Sequence, residues 1–79
     1  MDTKAKVRDT IIKLLKIKPD ELKDAQSLEQ CLGVDSTEMV EINIALTKAF
    51  GIHFEEKEVG KNNSVDQIVG VIDAKQRTR

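Results

Sequence analysis

The stretch from Asp35 to Gly51 carries signals for both ends of one helix, and no other feature of this 79-residue chain constrains the fold as strongly. Asp35 is a typical N-cap residue, and Glu38 stands where its side chain can bond back to the backbone of the cap. Gly51 is typical of the left-handed residue that ends a helix. These signals predict a helix over residues 36–50. Residues at helical spacing give it one apolar face, made of Met39, Ile42, Leu46, Ala49 and Phe50.

Apolar stripes with the same spacing predict two further helices. The first runs over residues 3–17 and ends before Pro19, which cannot continue a helix. The last begins at a second capping box, over residues 64–67. The stripes consist of Val7, Ile11, Leu14 and Leu15 in the first helix and of Val65, Ile68, Val69 and Ile72 in the last.

The segments between these helices are less regular. Residues 18–35 form a long connection in which a capping box at 27–30 predicts one short helical turn. We expect Leu22, Leu28 and Leu32 to hold this connection on the core. Residues 53–59 predict a helix of one or two turns, anchored by Phe54 and Val59. The predicted fold is therefore all-α, a single domain over residues 1–79 with three main helices, one short helix and a long first loop.

Composition and charge distribution narrow the classes of function. Apolar residues make up 39% of the chain and aromatic residues only 3%, which argues against a β-sandwich and against an aromatic platform for nucleic acid. Residues 20–59 hold three Lys against ten Asp or Glu, a net charge of −7. Such a segment repels nucleic-acid phosphates and favours a protein partner with a basic surface.

Few residues in the chain suit catalysis or metal binding. Cys31 is the only cysteine, so no intramolecular disulfide can form, and we expect it to be a small buried hydrophobe. His53 is the only histidine, and we expect it at the surface or half-buried. No catalytic site and no metal site are predicted. The chain shows no signal-peptide pattern and no apolar run of membrane-spanning length, so we expect a cytoplasmic location.

The helix over residues 36–50 also carries apolar residues away from its core face. Val40 and Ile44 are four residues apart, so they are neighbours on the opposite flank. They can form an exposed docking patch, or they can pack under the long first loop, and the pattern leaves both open. Asn43 lies at the edge of the core face, where a polar amide needs hydrogen-bond partners.

Ser36 differs from the other two serines. Ser27 and Ser64 are predicted N-caps, whereas Ser36 follows the cap Asp35 and is the first helical residue. Its hydroxyl is then available to solvent at the positive end of a helix, where a phosphodiester would be favoured. On the residues alone, a plain surface or capping serine is the favoured interpretation.

The run Leu32-Gly33-Val34-Asp35-Ser36, followed by Glu38, Val40 and Glu41, resembles the phosphopantetheine attachment motif of acyl carrier proteins. The resemblance extends over the chain, from the first amphipathic helix to the Ser64-Val65 start of the last one. It implies that Ser36 bears 4′-phosphopantetheine, attached by a separate Mg²⁺-dependent phosphopantetheinyl transferase. It also implies that acyl groups travel as thioesters on the arm and that the carrier catalyses nothing.

The same resemblance implies partners and a docking surface. The partners are the transferase and the acyl-transferring and ketosynthase-type enzymes of fatty acid, polyketide or specialised lipid synthesis, which have basic docking patches. The carrier is expected to be a monomer, and acyl chains can enter the bundle between its helices. The residues expected to contact partners are Asp35, Thr37, Glu38, Val40, Glu41 and Ile44.

Some residues depart from the family pattern. Thr37 replaces the large apolar residue that commonly follows the serine, and Thr47-Lys48 replaces an acidic pair. We therefore hypothesise a specialised carrier with its own partners, an idea that fails if general fatty-acid enzymes of the source organism use this chain as well as their usual carrier. Two alternatives stay open: a peptidyl or aminoacyl carrier, and a non-carrier helical module that binds proteins.

Overall fold

A computed structural model describes residues 2–54 and 58–77. Its helices are α1 (Thr3–Leu15), α2 (Leu28–Leu32), α3 (Ser36–Phe50) and α4 (Val65–Arg77), with a 3₁₀ turn at Pro19–Glu21. The described part contains no strand, only an isolated antiparallel bridge between Ser27 and Ser64. The all-α prediction is confirmed, and the short turn predicted at 27–30 is α2. The short helix predicted over 53–59 includes residues 55–57, which lie outside the described residues.

The ends of α3 form as the sequence predicts. The Asp35 carboxylate accepts a hydrogen bond from the Glu38 N–H at 2.8 Å, and the Glu38 carboxylate accepts one from the Asp35 N–H at 3.2 Å. Gly51 ends the helix at φ 67°, a left-handed conformation that glycine adopts at little cost. Ser64 and Gln67 form the same reciprocal pair at the start of α4.

The first helix is shorter than predicted. It ends at Leu15 because Lys16 is left-handed at φ 55°. The N–H groups of Lys16 and Ile17 both donate to the carbonyl of Ile12, which satisfies the end of the helix before Pro19 is reached. Pro19 begins the 3₁₀ turn instead.

One core lies between α1, α3 and α4. The loop leucines Leu22 and Leu28 are buried in it, while Leu32 lies half-buried at its margin. Cys31 is also half-buried rather than buried, because α2 is short and buries only Leu28. The fully buried side chains include Val7 and Ile11 of α1, Ile42 and Leu46 of α3, and Val65, Ile68 and Ile72 of α4.

Asp24 ties the long first loop to two helices. Its carboxylate pairs with Arg8 and, at 3.0 Å, with Lys4, both on α1. Lys4 also pairs with Asp66 of α4 at 3.1 Å. Burial alone would raise the pKa of Asp24, but the hydrogen bonds from Lys4 and Arg8 outweigh burial and hold that pKa below its ordinary value. Arg8 further donates to the carbonyls of Leu22 and Pro19, both at 2.8 Å.

The longest of the described helices, α3, has 15 residues. None of them is long and apolar enough to cross a membrane.

Candidate functional site

Ser36 is the first residue of α3 and its side chain is exposed. The adjacent Asp35 supplies the cap, and the Ser36 hydroxyl makes no hydrogen bond to the described residues. The hydroxyls of Ser27 and Ser64, in contrast, accept backbone hydrogen bonds at 3.1 and 3.2 Å. Ser36 is thus the serine whose hydroxyl is available for modification.

The start of α3 favours a negative group on that hydroxyl. The N–H groups of Ser36 and Thr37 belong to the first helical turn and have no acceptor within the helix. Together with the helix dipole they stabilise an anion beside Ser36. Lys61 lies across a groove from Ser36 and adds a cation to this region.

The docking residues expected from the sequence lie together on the first turns of α3. Val40 is 57% exposed and Ile44 is 52% exposed, so they do not pack under the long loop. Acidic side chains flank this apolar pair. Glu38 is half-buried, because its side chain takes part in the capping box. The other residues predicted to contact partners are exposed: Asp35, Thr37, Val40, Glu41 and Ile44.

The far half of α3 has a different charge. Residues 42–50 contain no Asp or Glu, so no carboxylate follows Glu41 on this helix, whereas Lys48 is exposed and Thr47 is half-buried. The exposed face of α3 is therefore acidic near Ser36 and basic toward its carboxyl end.

Two adjoining grooves run along one side of α3. The first has a volume of about 290 Å³ and lies between α3 and residues 59–62, with Ser36 on its lining. The second has a volume of about 640 Å³ and extends past Ile44 to Lys48 and Phe54. Val40 and Asn43 line both grooves, so the two grooves lie next to each other on a path from Ser36 along the helix. Sequence periodicity gave no signal for this path, because its far wall comes from a loop.

The wall formed by residues 59–62 is held by the start of α2. The N–H groups of Leu28 and Glu29 donate to the carbonyls of Asn63 and Lys61, both at 3.0 Å. The Asn63 side chain accepts a hydrogen bond from the Gly60 N–H at 2.7 Å. These bonds use two first-turn donors of α2 and fix the position of the wall.

Asn43 joins α3 to that wall. Its Nδ2 donates to the Val59 carbonyl at 3.3 Å. Its Oδ1 is buried and has no hydrogen-bond partner among the described residues. The expected need for partners is therefore met on only one side of the amide, and sequence spacing did not identify Val59.

Among the described residues, no cluster of His, Cys, Asp and Glu could hold a metal ion. His53 is exposed, as expected, and it lines the second groove. The chemistry of the site is thus the chemistry of an exposed hydroxyl, an apolar patch and a groove.

A small helical bundle that presents one available serine at the start of a helix, beside the exposed apolar pair Val40 and Ile44, has the features of a carrier protein with a covalent arm. Comparison with known proteins agrees with this class. The family model described as the phosphopantetheine attachment site matches residues 5–72.

Curated relatives identify which kind of carrier protein the chain resembles. The chain is 33% identical over 73 residues to an acyl carrier protein of Campylobacter hominis, covering 92% of each chain. It is 31% identical to one from Campylobacter fetus subsp. fetus, over 85% of this chain and 87% of that protein. It is 28% identical to an acyl carrier protein of Wolinella succinogenes, over 85% of this chain and 88% of that protein. The chain belongs to the acyl carrier protein family: its function is that of an acyl carrier, and its covalent prosthetic group is 4′-phosphopantetheine.

Proposed function

We propose that Ser36 is the serine that bears the phosphopantetheine arm. The observation that carries this proposal is the state of the three serine hydroxyls, of which Ser27 and Ser64 cap helices and Ser36 does not. Ser36 is also exposed, so a transferase can reach it. The arm supplies a terminal thiol on which acyl groups are held as thioesters.

The residues around Ser36 fit a phosphodiester. The first-turn N–H groups of α3 supply positive potential, and Lys61 lines the same groove, where it pairs with Glu29 at 3.5 Å. Asp35 opposes them with its charge, but its carboxylate is engaged with the Glu38 N–H. On balance this end of α3 accommodates an anion on Ser36.

The exposed face of α3 is the proposed surface for partner enzymes. Val40 and Ile44 supply apolar contact, and Asp35, Thr37, Glu38 and Glu41 border them. Carboxylates at a rim speed association with a basic partner and fix its orientation. The proposed partners are a phosphopantetheinyl transferase and acyl-transferring and ketosynthase-type enzymes with basic docking patches.

Further features of the carrier belong to the same proposal. The chain acts as one carrier domain and a monomer, without catalytic activity of its own, in the cytoplasm. Lys48 reverses the charge of the docking face beyond Glu41, which supports a specialised set of partners over the general fatty-acid enzymes.

Modification in vitro tests the attachment site directly. We expect the purified chain, incubated with coenzyme A, Mg²⁺ and a broad-specificity phosphopantetheinyl transferase, to gain the mass of one phosphopantetheine. Ser36→Ala should gain none. Ser27→Ala is the matched control, since it removes a hydroxyl of the same kind and should still be modified.

The result can contradict the proposal in two ways. If Ser36→Ala is still modified, another residue carries the arm. If neither chain gains mass while an established carrier does in the same reaction, the chain is not a substrate of this class of transferase. Circular dichroism of Ser36→Ala verifies that its helices are intact.

A further inference from the structure

One exposed stripe of α3 changes the sign of its charge along its length. Thr37, Glu41, Ile44 and Lys48 follow one another at spacings of four, three and four residues, so they lie on the same side of the helix. All four side chains are exposed. Moving away from Ser36, the stripe therefore presents a carboxylate, then an apolar side chain, then an ammonium group.

The two charges of the stripe act separately on anything that covers it. Glu41 and Lys48 are seven residues apart, which is roughly 10 Å along the helix axis at the α-helical rise per residue. This separation exceeds the Debye length of about 8 Å at physiological ionic strength, so solvent largely screens one charge from the other. No ion pair joins either side chain to a described residue. Both charges are therefore available to a partner.

The helix dipole explains only part of the position of Lys48. A cation in the last turn stabilises a helix, and Lys48 lies in that turn. Lys48 also lies one turn beyond the exposed Ile44, at the edge of the apolar pair proposed to contact partner enzymes. A partner seated on Ile44 thus meets the Lys48 charge, whatever that charge contributes to the stability of α3.

We propose, on the basis of the partner surface proposed above, that Lys48 is a specificity-determining residue of this carrier. Its preferred partner is an acyl-transferring enzyme with both signs of charge in its docking patch. A basic side chain of that patch faces Glu41, and an Asp or Glu roughly 10 Å away faces Lys48. A uniformly basic patch attracts the part of α3 near Ser36 but repels Lys48, and such repulsion suppresses a wrong partner.

Acyl transfer from charge variants of the carrier tests this proposal. The probes are the ketosynthase-type and acyl-transferring enzymes encoded in the genome that encodes this chain, each assayed with acylated holo carrier. We expect at least one of them to use Lys48→Glu with kcat/KM roughly fivefold below that for wild type, the scale of one solvent-screened ion pair. Lys48→Arg retains the charge and should behave as wild type does.

An exchange of charge between the two proteins tests for direct contact. In the enzyme that prefers wild type, each acidic residue of the docking patch is replaced in turn by lysine. One of these enzyme variants should use Lys48→Glu better than it uses wild type, because opposite charges face each other again. Lys23→Glu is the matched control. It makes the same change of net charge at an exposed residue of the first loop and should leave kcat/KM unchanged.

Four results would overturn the proposal. Every enzyme could use Lys48→Glu as well as wild type, or better, and Lys48 would then select no partner. An equal loss in Lys23→Glu would assign the effect to net charge. A loss by the same factor with all the enzymes would assign it to the stability of α3, which urea unfolding measures. A wild-type dimer that dissociates in Lys48→Glu, seen by sedimentation, would make Glu41 of a second copy the counterpart of Lys48.

The test also keeps the docking proposal distinct from the proposed attachment site. Mass spectrometry of each acylated sample verifies that Ser36 carries the arm and its acyl group before transfer is measured. A chain that accepts no arm contradicts the attachment site, whereas a loaded chain that shows no dependence on Lys48 contradicts only the role of Lys48.

Discussion

At the scale of single residues, Asp35 combines two roles: it precedes the serine proposed to bear the arm, and it caps α3. Its carboxylate accepts the Glu38 N–H at 2.8 Å. We expect Asp35→Ala to lower the free energy of unfolding by about 1 kcal/mol, the usual loss when a cap is removed. Urea unfolding of the apo form measures this change.

Asp35→Asn separates capping from charge. Asparagine caps a helix about as well as aspartate, so this variant should retain most of the stability that alanine loses. If both variants were equally destabilised, the charge of Asp35 and not its cap geometry would be the stabilising feature.

Residue-scale predictions from sequence succeeded where the partners are local. Asp35 and Glu38 are three residues apart, and so are Ser64 and Gln67, so each capping box could be recognised from spacing. The bond from Asn43 joins residues 16 apart, and only the fold brings Val59 to it.

At the scale of the element, α3 has opposite faces with different tasks. Ile42 is fully buried in the core, whereas Ile44 and Val40 are exposed. We expect the double variant Val40→Ala, Ile44→Ala to be modified by the transferase with kcat/KM reduced roughly tenfold, because two apolar contacts are lost. Its stability should be unchanged or slightly higher, since alanine is the better helix former.

Ile42→Ala is the matched control on the same helix. It should lower the free energy of unfolding by about 2–4 kcal/mol through the cavity it leaves. Its kcat/KM at a temperature where it is folded should stay close to wild type. A double variant that is modified at the wild-type rate would remove Val40 and Ile44 from the transferase contact.

Element boundaries show what sequence patterns can establish. The end of α3 was predictable because Gly51 favours a left-handed conformation, but the end of α1 was not, because Lys16 adopts one without being glycine. The exposure of Val40 and Ile44 was left open by periodicity. It depends on where the first loop runs, and that is decided by contacts distant in sequence.

At the scale of the whole molecule, the course of the first loop is fixed by Asp24. This residue contacts Lys4 and Arg8, and Lys4 in turn pairs with Asp66 at the start of α4. The sequence shows these charges but not their pairing, since each partner lies many residues from the next. The all-α fold could thus be predicted from helical spacing, while the arrangement of the loop could not.

The network around Asp24 makes the stability of the fold depend on pH in a defined direction. Burial would raise the pKa of Asp24, yet the bonds from Lys4 and Arg8 prevail, so the folded pKa lies below the ordinary value of 3.8. As pH falls, the unfolded chain therefore binds a proton at Asp24 before the folded chain does. The stabilisation is present above the ordinary pKa and is lost as pH falls through the lower, folded pKa.

Asp24→Asn should therefore lower the free energy of unfolding at neutral pH by about 1 kcal/mol, the upper end of the range for ion pairs that solvent partly screens. The difference from wild type should shrink as pH is lowered below the ordinary pKa of 3.8, because the unfolded wild type then binds a proton at Asp24 before the folded wild type does. Urea unfolding over this pH range measures both effects. The control is Asp9→Asn, which removes an exposed ion pair with Lys13. It should change the free energy of unfolding by less than about 0.5 kcal/mol. The loss of stability in Asp24→Asn could instead stay constant down to the lowest pH. That result would mean that the hydrogen bonds from Arg8 to the carbonyls of Leu22 and Pro19 hold the loop, and not the charge of Asp24.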